Sequence, residues 1–219
     1  GEKALRTLKE YFPAKPLRYI IHSHWHPHSI SSVRPFISNG VTLVSTRKNF
    51  ERLKEFVDST TIAQYGKNIS FVDGDSLVIG DAGNRIVIHR FTQEDFPNAP
   101  SPDYLYCYLP KYNYLHCACM YNKWMGEKVE GKELLTWREE DLNRFLALRN
   151  LRPEYLIRLN KEKMEKNDMQ PYEGLRDVVL NGISASNLSD RYLSLDEATL
   201  RNSRDSLVRS IVRDNIPAS

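Results

Sequence analysis

Apolar residues at helical spacing open the chain. Leu5, Leu8 and Phe12 recur with Lys and Glu between them, which predicts a helix over 2–12, ended by Pro13 and Pro16. Residues 17–21 (Leu-Arg-Tyr-Ile-Ile) form a short apolar strand. A helical turn is expected over 33–38, then a buried strand over 41–45. Thr46 caps a helix over 47–57 whose apolar face carries Phe50, Leu53 and Phe56 or Val57. Helix and strand thus alternate, the pattern of an α/β layered fold. The middle of the chain changes character. Strands are expected over 69–72, 76–79 and 85–91, joined by Asp73-Gly74-Asp75 and Asp81-Ala82-Gly83-Asn84 turns. A Pro-rich loop follows over 94–103, then strands over 104–109 and 114–121 around Pro110-Lys111-Tyr112-Asn113. Thr136 and Glu139 have the spacing of a capping box and open a helix to about Asn150. A strand over 154–159 precedes a helical tail, with helices expected over 171–180 and from a Ser194 cap to about Asp214.

Composition narrows the classes. The 219 residues are 41% hydrophobic and 27% charged, so one domain spanning 1–219 can bury a core without disulfides or metals. Balanced charge and 11% aromatics argue against disorder. No apolar run reaches the roughly 18–20 residues of a membrane helix, and a net charge of +3 gives no case for nucleic acid. Three cysteines, Cys107, Cys117 and Cys119, make no even disulfide framework and leave the compartment open. The chain opens at Gly1-Glu2-Lys3 rather than Met, which suggests that upstream sequence has been removed.

Four of the six histidines fall at His22, His24, His26 and His28. Side chains two apart on an extended backbone share a face, so this spacing would stack the imidazoles. An H-x-H pair at a strand end can reach one Zn²⁺ at about 2.0–2.1 Å. The competing reading is a polar loop of solvated imidazoles. Pro27 argues against regular pairing there, so the segment reads as strand running into loop.

The stretch from Pro16 to Pro27 resembles the signature of the metallo-β-lactamase superfamily, in which Thr-His-x-His-x-Asp-His follows a strand and an amphipathic helix. Ser23-His24-Trp25-His26-Pro27 matches its first five positions closely, with Ser23 in place of Thr. The resemblance implies an αββα sandwich. One sheet would be incomplete on the N-terminal side, because the chain starts at the helix that family members place after their first strands. Exposed edges of that kind would invite pairing with a second copy, and a homodimer is one expected assembly.

The resemblance also implies a ligand set, from which this chain departs. His24 and His26 stand where ligands of a first zinc would lie. His28 and Ser29 replace the Asp and His of a second zinc site. The loop over 96–103 holds no histidine, Cys119 stands at the bridging-Asp position, and 158–161 (Arg-Leu-Asn-Lys) replaces the last Gly-His-Gly. Both metal-ligating carboxylates are lost. The usual two-metal hydrolysis, in which an oxygen nucleophile is held between the ions, is therefore not expected. Two readings lead, with a metal-binding module without turnover as a third. The favoured one is a diverged, non-hydrolytic member that binds an unidentified small molecule or protein at the former active-site face, with no metal. The other is a mononuclear zinc hydrolase with an atypical site drawn from His24, His26, His28 or His22, and Cys119, a donor set suited to one zinc ion. Cys119 as a small buried hydrophobe is the alternative for that residue. The tyrosines at 104–114 are read as strand formers packing across pairs, or else as the lining of a groove.

Overall fold

The computed structural model describes residues 1–30, 32–121, 128–129, 132–158, 169–171 and 183–184. The chain divides into two compact units, Gly1–Lys111 and Tyr112–Ser219.

The first unit begins with α1 (Glu2–Tyr11). Its Leu5 packs with Phe36 and Val41, and Leu8, Leu17 and Ile20 close over them. Strands β1 (Tyr19–Ile21), β2 (Thr42–Ser45) and β3 (Ile69–Phe71) form a parallel sheet in sequential order. Each connection crosses over through helix. The elements α2 (Pro27–Ile30) and α3 (Val33–Ile37) join β1 to β2, and α4 (Arg47–Leu53) and α5 (Ser59–Tyr65) join β2 to β3. The Thr46 side chain accepts the Asn49 N–H at the start of α4, as the sequence suggests.

Period-two alternation along β2 builds a layered core. Leu43 points to the helices and packs among Ile30, Val33, Ile37, Phe50, Leu53 and Val57. Val44 points the other way, against Val72, Ile88, Leu105 and Cys107. Three of those four belong to a second, antiparallel sheet of β4 (Ser76–Gly80), β5 (Arg85–Thr92) and β6 (Asp103–Leu109). The β4–β5 turn depends on Gly80. Its φ of 102° is unfavourable for other residues, and a Cβ there would run into the Asn84 carbonyl.

Burial within that sheet core pushes the Cys107 thiol up to about 12. Its reactive thiolate is therefore scarcely populated at neutral pH. Iodoacetamide at pH 8 is expected to leave Cys107 unmodified in the native protein and to label it after unfolding in urea, as read by peptide mass mapping. Labelling of native Cys107 at the rate of a free thiol would contradict this packing.

In the second unit, β7 (Tyr114–Ala118) pairs in parallel with β10 (Tyr155–Arg158), which pairs antiparallel with β11 (Met169–Pro171). A smaller sheet joins β8 (Lys128–Val129), β9 (Lys132–Leu135) and β12 (Ile183–Ser184). The capping box at Thr136 and Glu139 is present at the start of α6 (Trp137–Leu148), whose Leu142, Phe145 and Leu146 are buried.

Some sequence expectations need correction. The 47–57 helix ends at Leu53, and α5 was not foreseen. Pro171 closes a strand rather than opening a helix. The rest of the 171–180 helix, the 194–214 helix and positions 159–161 lie outside the described residues. Among those described, no helix is long and apolar enough to cross a membrane.

Candidate metal centre

The ladder of β1 continues one residue past Ile21, where the His22 N–H donates to the Val44 carbonyl. His22, Ser23 and His24 are all buried. Beyond them the extended path stops. His26 opens α2, and its carbonyl accepts from the Ser29 and Ile30 N–H groups. Pro27 suits that first helical position because its missing N–H and fixed φ cost nothing there. The expected strand running into loop holds over 22–26, and a short helix, α2, follows from Pro27. His28 leaves the strand-face series, and its side chain lies outside the described set.

The cluster consequently divides. His22 turns toward β2, its Nδ1 lying 3.2 Å from the Ser45 hydroxyl. Burial lowers its pKa from 6.5 to about 4, partly offset by a hydrogen bond with the His24 backbone, so the ring is neutral at pH 7. His24 and His26 stay together, with ring centroids 4.7 Å apart and planes at 75°. His24 is also stacked on Tyr104 at 4.8 Å and 19°. Cys119, the sulfur donor of the expected set, lies in the second unit, just after β7. Burial lowers the pKa of His116, on β7.

Cys119 reaches its position by a backbone irregularity. The strand expected to run to Tyr121 ends at Ala118, which adopts φ 44°. The pairing with β10 shifts register there. A buried alanine in the left-handed region carries strain of about 1–2 kcal/mol. Ala118→Gly is therefore expected to hold or raise the unfolding free energy by up to about 1 kcal/mol, and Ala118→Val to lower it by roughly 2 kcal/mol. Urea titration measures both. A valine variant as stable as the parent would mean that this backbone is not strained.

Two nitrogen donors and one sulfur donor suit zinc. As a set of residue types, these donors fit the ion. His26 and Cys119 are only partly buried. An open groove of about 690 Å³ runs beside His26, lined by Trp25, Lys48, Glu51, Arg52 and Glu55. The charged members stand three and four apart on and just beyond α4, a pattern visible in the sequence that the motif reading passed over.

Solved structures give the frame for this geometry. The chain is similar to the metallo-β-lactamase of Pontibacter korlensis, with a TM-score of 0.54 at 14% identity over 82% of this chain and 74% of that one. The chain has a metallo-β-lactamase fold. Two other metallo-β-lactamases align comparably. TMB-1 gives a TM-score of 0.55 at 12% identity over 83% of this chain and 73% of its own. IND-7 gives 0.53 at 16%, over 82% and 73%. No protein-family model and no curated protein matches the sequence. The metallo-β-lactamase fold is thus retained at an identity where little of the sequence is shared.

Proposed function

We propose that this chain is a diverged protein of metallo-β-lactamase fold that holds a single zinc-class ion through His24, His26 and Cys119 and receives a ligand in the adjoining groove. The pairing of His24 and His26, with ring centroids 4.7 Å apart, carries the reading. It departs from the sequence preference for a metal-free binder by taking Cys119, at the bridging-ligand position that the family resemblance implies, as the third donor. Two-metal hydrolysis is not part of it, since His28 and Ser29 stand at the second-site positions.

A bound Zn²⁺ would supply Lewis acidity at the mouth of the groove. The protein's own part is to orient the ligand. Trp25 is fixed by donating its indole N–H to the Pro100 carbonyl at 3.1 Å, which sets its ring against the groove. Lys48 and Arg52 offer charge to an anionic group, and Glu51 and Glu55 keep the lining balanced. The partial exposure of His26 and Cys119 favours a second reading, a mononuclear hydrolase. Closed structural zinc sites take four protein ligands, whereas catalytic ones keep a position open.

Metal analysis of protein purified without chelator tests the proposal. About one zinc equivalent supports it, while none or two overturn it. A panel of esters, thioesters, lactones and phosphodiesters then separates the readings. Zinc-dependent turnover makes the protein a hydrolase, and a loaded but inert protein leaves it a ligand-binding one.

A further inference from the structure

Charge is unevenly placed along the chain. Residues 1–20 hold five Lys or Arg (Lys3, Arg6, Lys9, Lys15 and Arg18) and two Glu. The remaining 199 residues hold 26 of each sign, so the whole formal charge of +3 lies in this one segment. Part of it lines a groove of about 620 Å³ between α1 and α3. Arg6 and Lys9 come from α1 and Arg34 from α3, against one acid, Glu2, so the lining carries two positive charges in excess. The walls are held in place. Leu5 of α1 packs on Phe36 of α3 and on Val41. Asn39 accepts from Lys9 Nζ at 3.3 Å and donates to the Pro35 carbonyl at 2.9 Å. The cations are not spent on carboxylates. Arg6 makes no ion pair among the described residues, and the bond from Lys9 goes to a neutral amide. Arg34 meets Asp58 through one contact of 3.4 Å between well-exposed side chains, a pairing of little strength. Arg6 and Lys9 stand one turn apart, where like charges repel and an anion between them relieves the repulsion.

We propose that the groove between α1 and α3 binds a small molecule carrying a phosphate group. A phosphate monoester has a charge of about −1.5 to −2 at neutral pH, close to the opposite of the excess on the lining, and three acceptor oxygens. A guanidinium suits paired bonds to two such oxygens, and a lysine adds a point charge. Leu5 and Pro35 give the rest of the molecule an apolar face. The volume falls within the range of small-molecule sites, about 300–1,000 Å³. A membrane surface fits this face less well. Tyr11, 73% exposed, comes two residues after Lys9 and so stands on the opposite side of α1. The exposed aromatic and the cations therefore face different ways. The groove shares no residue with the one beside His26, and binding in it requires no metal.

Phenyl phosphate is the probe, with phenol as its uncharged control. Titration of the nitrogen-15-labelled chain is expected to give saturable shifts at the Arg6, Lys9 and Arg34 amides with phenyl phosphate and none with phenol. Arg6→Gln and Arg34→Gln change exposed positions and are each expected to weaken binding about tenfold, the worth of one hydrogen bond to a charged group. The double variant Lys15→Gln with Arg18→Gln removes twice as much charge from the same segment and none from the groove. Its affinity should match wild type. Shifts that never saturate overturn the proposal, as does an equal response to phenol. If Lys15→Gln with Arg18→Gln weakens binding as much as Arg6→Gln, the ligand is held by the general field of the segment and the groove is not its site. Co-sedimentation with phosphatidylserine vesicles closes the comparison. Vesicle binding lost in Arg6→Gln, in a protein that ignores phenyl phosphate, makes this face a membrane contact and also overturns the small-molecule site.

Discussion

Cys119→Ser is expected to weaken Zn²⁺ binding by roughly 100-fold. Four-ligand structural zinc sites bind with about 10–16 kcal/mol, so each ligand is worth around 3 kcal/mol, or about two decades in affinity. Cys119 should be at the upper end. It would bring a negative charge to a proposed set whose other members are neutral imidazoles. His24→Ala and His26→Ala should produce losses of the same order. The variants differ in colour. With Co²⁺ bound, a thiolate ligand gives a sulfur-to-metal charge-transfer band, which His26→Ala keeps at saturating Co²⁺ and Cys119→Ser abolishes. His22→Asn is the control, because that ring is turned toward Ser45. Its metal stoichiometry should match wild type. Wild-type affinity in Cys119→Ser would remove the thiol from the site and overturn the three-ligand reading.

The layered core was legible because it depends on periodicity. Leu43 and Val44 alternate across β2, and Phe50 and Leu53 recur on one face of α4, so their burial follows from spacing alone. The metallo-β-lactamase fold was legible from a short motif at a strand end, even though whole-chain identity to solved examples is only 12–16%. The misses are places where a local choice overrides periodicity. α5 has one apolar anchor, Ile62, and is started by Asp58, whose carboxylate accepts from the backbone and hydroxyl of Thr61. That cap signal was in the sequence, but the polar run concealed it. His28 was placed with the other histidines by even spacing, and the helical turn at Pro27 ends that relation. Cys119 was assigned to a regular strand, yet it follows a left-handed residue that no pattern of apolar positions announces. The fold is therefore written in many redundant contacts. The candidate site depends on two backbone turns, each decided by one or two residues.

Asp103→Ala is expected to lower the unfolding free energy by about 3 kcal/mol, the largest loss from any single polar side chain considered above. Asp103 is 1% exposed and both of its oxygens face Arg90, at 3.1 and 3.3 Å. Arg90 is tied further to the Asp73 carbonyl at 3.1 Å, so the guanidinium cannot swing out to water without losing a second bond. Removing the carboxylate leaves a largely buried cation without its counter-charge, and that penalty exceeds the worth of the pair itself. Arg90 keeps 26% of its side chain exposed, which holds the estimate at the low end of the usual range of about 3–5 kcal/mol. Asp103→Asn should cost less, since one oxygen can still accept. The double variant Asp103→Ala with Arg90→Met separates charge from packing. If the loss is the stranded cation, the double variant recovers most of the stability, and a double-mutant cycle in urea reads the difference. If it is no more stable than Asp103→Ala, the loss belongs to packing at the start of β6. The result bears on the site as well. Tyr104 and Leu105 come next in sequence, one stacked on His24 and the other bonded to the Ser23 carbonyl. A strand loosened at Asp103 should therefore weaken metal binding even in protein that remains folded, and the deficit should track the recovery in the double variant.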